Sequence, residues 1–304
     1  MSRFDVIGFG ALNVDRLFKV NRLAKQEEES WITGSTETCG GSAANAIVGL
    51  ARLGCKTGFI GKVGSDKEGE LLVNDFCKEK VDAKGVIRTT KGKSGLVMGF
   101  IDKKGARALY INSGVNDTVR LSEIDVEYAS QTRFLHLSSF VGEESFETQK
   151  TLLETLPESV KVSFDPGALY ARKGLIGLEP IIKRTYVLMP NSMELELLTG
   201  ETNYLRGAEQ IIRKGVEMVA VKLGSSGCYV NNGREQLLIE PFKVKVVDTT
   251  GAGDAFCAGF LYGLLKDKSL GECGRLGNFV ASRCVMKMGA RTGLPSSKDL
   301  EFLG

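Results

Sequence analysis

The sequence predicts a layered α/β fold with a mainly parallel central sheet and a small β-sheet lid. Three observations predict it. Short apolar runs alternate with segments of helical spacing along most of the chain. Two stretches, 14–38 and 94–116, break that rhythm with strand-like patterns that have no helix between them. Near the C-terminus, the β-branched run Val246-Val247-Asp248-Thr249-Thr250 meets Gly251-Ala252-Gly253-Asp254 and then an apolar segment of helical spacing.

The elements follow in order. Phe4–Phe9 reads as a first strand. Ser42–Leu53, rich in Ala and then carrying Val48, Leu50 and Leu53, reads as a helix ended by Gly54. Lys56–Ile60 reads as a strand, and Asp66–Lys78 as a helix with Leu71, Leu72 and Phe76 on one side. Lys161–Phe164, Tyr186–Met189 and Met218–Lys222 are apolar enough to be buried strands. Ser192–Leu198, Leu205–Lys214, Ala252–Leu265 and Leu270–Met286 carry helical spacing. Within the second exception, Leu96–Ile101, a turn at Asp102–Gly105, and Ala108–Ile111 make a hairpin. Antiparallel ribbons beside a parallel sheet suit a lid over a site at its edge; an extra sheet edge without function is the plainer reading. No repeat, low-complexity tract or linker divides the chain, so residues 1–304 read as one domain.

Composition excludes several classes. The 304 residues hold 40 Lys+Arg against 37 Asp+Glu, a net charge of +3 with no long basic run. Nucleic acid and anionic membrane surfaces are therefore not the expected partners. No apolar stretch reaches the length of a membrane span, and no charged head precedes an apolar signal core, which predicts a cytoplasmic location. Seven cysteines, Cys39, Cys55, Cys77, Cys228, Cys257, Cys273 and Cys284, are widely spread without a Cys-x-x-Cys. They read as reduced thiols rather than a disulfide framework or zinc site. The single histidine, His136, sits in a strand-like run and reads as structural. Catalysis is left to carboxylates, backbone and cations.

The Gly251–Asp254 turn offers that chemistry. A helix start presents backbone N–H groups and a positive dipole end to an anion, above all phosphate. Glycines let the backbone approach closely. Asp254 beside the anion can take a proton from a hydroxyl, which is what phosphoryl transfer to an alcohol needs. A turn followed by a helix-favouring acid is the plainer alternative. Gly8-Phe9-Gly10-Ala11-Leu12-Asn13 invites a dinucleotide reading, but Asn13 stands where a third small residue belongs and Val14–Val20 looks extended rather than helical. Asn13 and Asp15 instead suit sugar hydroxyls. Gly40 and Gly41 open the second helix, with Asn45 one turn in; a glycine turn capped by Ser42 explains the same residues structurally. Asn191 and Glu194, three apart after a strand, are either a capping box or oxygen donors for a hydrated magnesium ion near phosphates. Lys222-Leu223-Gly224-Ser225-Ser226-Gly227 is either a phosphate neighbour or a hairpin turn. No Walker-type loop occurs anywhere.

Taken together and in this order, these motifs resemble the ribokinase-like, or PfkB, family of carbohydrate kinases over nearly the whole length. The resemblance implies a ribokinase-like three-layer fold and an ATP-dependent kinase acting on a hydroxymethyl group of a small sugar or nucleoside. It implies Asp254 as base and Gly251, Ala252 and Gly253 as anion hole. Asn13, Asp15, Gly40, Gly41 and Asn45 would bind the acceptor, and Asn191 and Glu194 would organise Mg2+ and phosphates. Lys222, Gly224, Gly227 and Asn278 would line the nucleotide site. The family often has a monovalent-cation (K+) loop, matched here by Asp248, Thr250, Cys284, Lys287 and Gly289. Gly293 replaces a hydroxyl residue often found beyond it, which weakens potassium dependence. Ser42 stands where bacterial ribokinases carry lysine, and Ser138 or Ser139 where they carry glutamate, which weakens strict ribokinase activity. Phe164-Asp165-Pro166-Gly167 is closer to a turn of fructokinase-like members. Arg107, in the lid hairpin, suits a charged substrate or a solvated strand equally. In a nucleoside kinase, Phe18, Trp31, Phe100 or Tyr110 would stack a base; a non-catalytic sugar-binding or regulatory protein is the remaining alternative. Many relatives are homodimers through the lid.

Overall fold

The computed structural model describes residues 2–104 and 106–303. Among the described residues, thirteen strands build two sheets. The strands are β1 (Phe4–Phe9), β2 (Asn13–Val20), β3 (Ile32–Gly40), β4 (Thr57–Gly64), β5 (Val86–Thr89), β6 (Gly95–Ile101), β7 (Arg107–Asn112), β8 (Thr132–Leu137), β9 (Lys161–Phe164), β10 (Thr185–Leu188), β11 (Met218–Lys222), β12 (Cys228–Asn231) and β13 (Gln236–Ile239). The larger sheet has nine strands in the order β13-β12-β11-β10-β9-β8-β1-β4-β5, and the smaller has four in the order β3-β2-β6-β7. In the larger sheet only the β11–β12 and β12–β13 pairs are antiparallel.

Among the described residues, eleven α-helices pack around these sheets. They are α1 (Ser42–Arg52), α2 (Lys67–Lys78), α3 (Val126–Ser130), α4 (Glu143–Thr155), α5 (Gly167–Ala171), α6 (Gly174–Gly177), α7 (Glu179–Arg184), α8 (Ser192–Thr199), α9 (Tyr204–Arg213), α10 (Ala252–Leu265) and α11 (Leu270–Cys284). Strand alternation explains the layers. In β11, Met218 and Ala220 join one apolar cluster while Val219 and Val221 join another. The first cluster takes α1, α2, α10 and α11, and the second takes α4, α7, α8 and α9. A parallel sheet covered on both faces needs such unbroken apolar strands.

The expected strands over Lys161–Phe164 and Met218–Lys222 and the helix Ala252–Leu265 stand at their expected bounds. The strand read as Lys56–Ile60 runs on to Gly64, because Lys62 buries its stem and holds Glu123 at 2.7 Å. The helix read as Leu270–Met286 stops at Cys284. Gly41, at φ 106, is the N-cap of α1, so Ser42 is not the cap; the Ser138 hydroxyl accepts from the Ala43 N–H at 3.1 Å instead. Strands β6 and β7 fall within the second expected helix-free stretch, β2 and β3 overrun the first by one residue before and two after it, and β2 pairs with β6 in parallel. Gly105, in the expected hairpin turn, lies outside the described residues, as does the side chain of Arg107.

Candidate active site

The C-terminal ends of β9, β10 and β11 open into a cavity of about 680 Å³. Open α/β sheets gather ligands at that end of the strands. Asn191, Glu194, Lys222, Gly224, Gly227, Ala252, Gly253, Asp254 and Asn278, all expected from the sequence, line it. So do apolar Phe242, Val246, Ala281 and Val285.

Helix α10 points its N-terminus into this space. Gly251 caps it at φ 76 without a side-chain hydrogen bond, whereas Asp66, Asn191 and Ser269 cap α2, α8 and α11 through their side chains. A Cβ at Gly251 would stand 2.5 Å from the Ala290 Cβ, so both backbone conformation and space demand glycine. At Gly253 the nearest heavy atom to an added Cβ is Lys222 Nζ, at 3.3 Å. An ammonium group therefore sits beside the first turn of the helix. Both features attract an anion.

Lys222 is buried and paired with Asp165 Oδ2 at 2.7 Å. Burial alone would lower its pKa; the charges of Asp165, Cys257 and Glu194 outweigh burial and keep it above its ordinary value. The Cys257 thiol also donates to Asp165 Oδ2, at 3.4 Å. Asn191 and Glu194 form the capping box: Glu194 N–H donates to Asn191 Oδ1 at 2.9 Å, and Asn191 N–H to Glu194 Oε2 at 2.8 Å. Glu194 Oε1 stays outside that box. Burial, then the Asp165 charge, pushes the Glu194 carboxyl up to about 6.

Asp254 stands half-buried in the first turn of α10, on the wall of the cavity. Burial pushes its carboxyl up to about 6, against the opposing hydrogen bond from Asn45. Asn45 Nδ2 donates to Asp254 Oδ2 at 2.8 Å, joining the first turns of α1 and α10. Asn45 Oδ1 in turn accepts from Arg291 Nε at 2.7 Å. Asp15 lies beside Gly40, where a Cβ would stand 2.2 Å from its Oδ2. Burial also pushes Asp15 up to about 6, opposed by the charge of Arg291. Asn13 Oδ1 accepts from Asn116 Nδ2 at 2.9 Å, and the Asn116 amide holds both backbone groups of Leu12. A Cβ at Gly41 would stand 2.1 Å from the Ala11 carbonyl oxygen, which fixes the approach of α1 to β1.

Other expected residues have plainer surroundings. Asn278 lines the cavity, but its amide donates to the carbonyls of Ile239 and Glu240 at 3.1 and 3.0 Å and so pins the strand end that borders it. The loop expected to hold a monovalent cation is drawn together by protein hydrogen bonds. Asp248 Oδ1 accepts from Thr250 Oγ1 at 2.7 Å and Oδ2 from Gly289 N–H at 2.8 Å. Cys284 Sγ donates to the carbonyls of Thr250 and Ala290, and Lys287 N–H to the carbonyl of Cys284. At Gly293 a Cβ would stand 2.5 Å from two carbonyl oxygens, so no hydroxyl side chain fits there.

The proposed base-stacking aromatics are displaced from the acceptor side. Phe18 pairs with Phe100 across β2 and β6, and Phe100 meets Tyr110 edge-on. Phe18 lies three positions after Asp15 along a regular strand, so this cluster occupies the opposite face of the small sheet. Three site-forming residues escaped the sequence reading: Asp165, Arg291 and Asn116. For Asp165 the signal existed, as an acid at the end of a buried strand. Arg291, in Gly289-Ala290-Arg291-Thr292-Gly293, follows no periodicity that marks it.

Comparisons with known proteins show the family and the fold. The profile of the PfkB family, described as pfkB family carbohydrate kinase, matches residues 4–297. An uncharacterized sugar kinase of Archaeoglobus fulgidus is 51% identical over 255 residues, covering 83% of this chain and 100% of that protein. A ribokinase of Haemophilus influenzae is 30% identical over 302 residues, covering 97% and 96% of the two chains. The crystal structure of Thermotoga maritima ribokinase superposes with a TM-score of 0.87 at 28% identity, covering 98% of each chain.

Proposed function

The chain belongs to the PfkB family of carbohydrate kinases, and we propose that it transfers the γ-phosphate of ATP to a hydroxymethyl group of a small sugar, with Asp254 as general base. One observation carries this reading. A half-buried carboxylate with a raised pKa stands in the first turn of a helix whose N-terminus, with Lys222, forms an anion cradle. The acceptor hydroxyl gives its proton to Asp254 as its oxygen bonds to the γ-phosphorus. The bond to the bridging oxygen breaks, and ADP carries away that electron pair. Backbone N–H groups of Gly251–Gly253 and the Lys222 ammonium stabilise the charge on the transferring group. Asn13, Asp15, Gly40, Gly41 and Asn45 surround the acceptor, and Asn191, Glu194, Gly224, Gly227 and Asn278 the nucleotide. Glu194, with a carboxylate oxygen outside its capping box, suits magnesium, which neutralises phosphate charge when bound. The 248–250 and 284–289 segments close through their own hydrogen bonds, so we expect no strict need for potassium.

Residues 13–40 and 95–112 act as the lid of a one-domain kinase, and the Phe18–Phe100–Tyr110 face pairs with a second copy. ADP release measured across a panel of D-ribose, D-fructose, 2-keto-3-deoxygluconate and adenosine tests the acceptor class. Turnover of a sugar supports the reading. Turnover of adenosine alone makes the protein a nucleoside kinase, and a panel without ADP release makes it a binding protein.

A further inference from the structure

We propose that Arg291 is a positioning residue for the transfer, holding the Asn45 amide so that its nitrogen faces Asp254. The inference rests on Asp254 as the base. Arginine has only donors, so the Asn45 atom that faces Arg291 Nε must be the oxygen. Once that oxygen is engaged, the amide nitrogen is the atom left for Asp254, and it donates at 2.8 Å. Without the guanidinium only the carboxylate charge would choose the amide nitrogen, and that choice lapses once Asp254 carries a proton. With the amide reversed, two oxygens would face each other in a buried site.

The guanidinium is itself well anchored. Its NH1 pairs with Asp75 of α2, and its NH2 reaches the Gly40 carbonyl of β3 at 3.5 Å. The Arg291 side chain is only 10% exposed. All its nitrogens are thus committed to protein, one to each of α1, α2 and the end of the lid strand beside Asp15. That commitment makes it a bracket rather than a substrate ligand. The groups facing it are Asp75, Asp15, Glu79 and Cys39. Those facing Asp254 are Asp165, Lys222, Glu194, Cys257 and Cys284, besides Asn45 and Arg291.

The sign follows. The Asn45 donor and the Arg291 charge both favour the carboxylate form of Asp254 and oppose its burial. Removing Arg291 therefore raises the Asp254 pKa. The test follows the Asp254 carboxyl carbon by NMR in full-length protein labelled at aspartate, assigned by the signal lost in Asp254→Asn. Arg291→Met is expected to move the titration midpoint up by about one pH unit. With the sugar that the panel identifies, kcat falls roughly ten- to a hundredfold while KM for ATP holds. Arg291→Lys keeps a cation beside Asp75 but cannot bridge three partners, and is expected to shift the midpoint in the same direction by less. An unmoved midpoint in either folded variant overturns the proposal. Full turnover in Asp254→Asn overturns instead the reading of the base, whatever Arg291 does.

Discussion

Asp254 and Asp165 line the same cavity, yet one is held by an amide and the other by an ammonium. Asp165 Oδ2 receives both Lys222 Nζ and the Cys257 thiol, so it is locked as the counter-charge of a buried cation. Asp254 takes one bond from neutral Asn45 and otherwise faces desolvation, which leaves its carboxyl near pH 6. Burial beside a neutral donor leaves a carboxyl basic enough to accept a proton. In the proposed mechanism the two acids do different work: Asp165 orients a cation, and Asp254 exchanges a proton.

The largest effect should come from Asp254→Asn. The exchange keeps size and hydrogen bonding but removes basicity, so kcat is expected to fall by roughly 10²–10⁴. Stability is expected to respond in the other direction. The folded-state pKa of about 6 lies above the ordinary 3.8. Between those values the unfolded chain binds fewer protons, so this group costs stability as pH rises through the window. Asparagine has no charge to bury, and the variant's Tm at pH 8 should equal or exceed that of the parent. A lower Tm together with retained turnover would erase the contrast with Asp165.

The other side of the comparison predicts a stability effect. Lys222→Met leaves Asp165 as an uncompensated buried charge, and Asp165→Asn leaves Lys222 the same way. Breaking such a pair costs about 3–5 kcal/mol. Urea unfolding should show each single variant well below the parent, and the double variant, without either charge, above both. Equal losses that simply add would mean that the pair is not coupled.

These residues also show what the sequence exposes. The strands and the helix behind Asp254 are legible because burial on both faces demands unbroken apolar runs, and Gly251-Ala252-Gly253-Asp254 is legible because a tight turn and helix start leave a local pattern. Lys222 is visible as a motif, but its partner Asp165 stands 57 residues away, and only parallel pairing through β9, β10 and β11 brings them together. Asn45 is visible too, yet Arg291 reaches it from 246 positions along the chain. Local chemistry leaves spacing behind it; a long-range hydrogen bond does not. The same limit explains the aromatic residues. Phe18, Phe100 and Tyr110 are visible as aromatic residues of the lid stretches, but only strand register tells which face they share.

That register supplies the smallest and most local prediction, since the two faces of the small sheet should respond to different partners. Asp15 stands on one face, and Phe18, Phe100 and Tyr110 on the other, where Tyr110 is 60% exposed. Lid closure over an acceptor buries backbone on the Asp15 side, so hydrogen exchange in residues 13–40 and 95–112 should slow several-fold when the sugar is added. A second copy on the aromatic face would slow exchange in the same strands, but in proportion to protein concentration and without any sugar. Running both titrations separates the two events. Slowing confined to Ala252–Leu265 would remove the lid. Exchange independent of concentration, with a light-scattering mass near 32.9 kDa, would remove the dimer and leave closure intact.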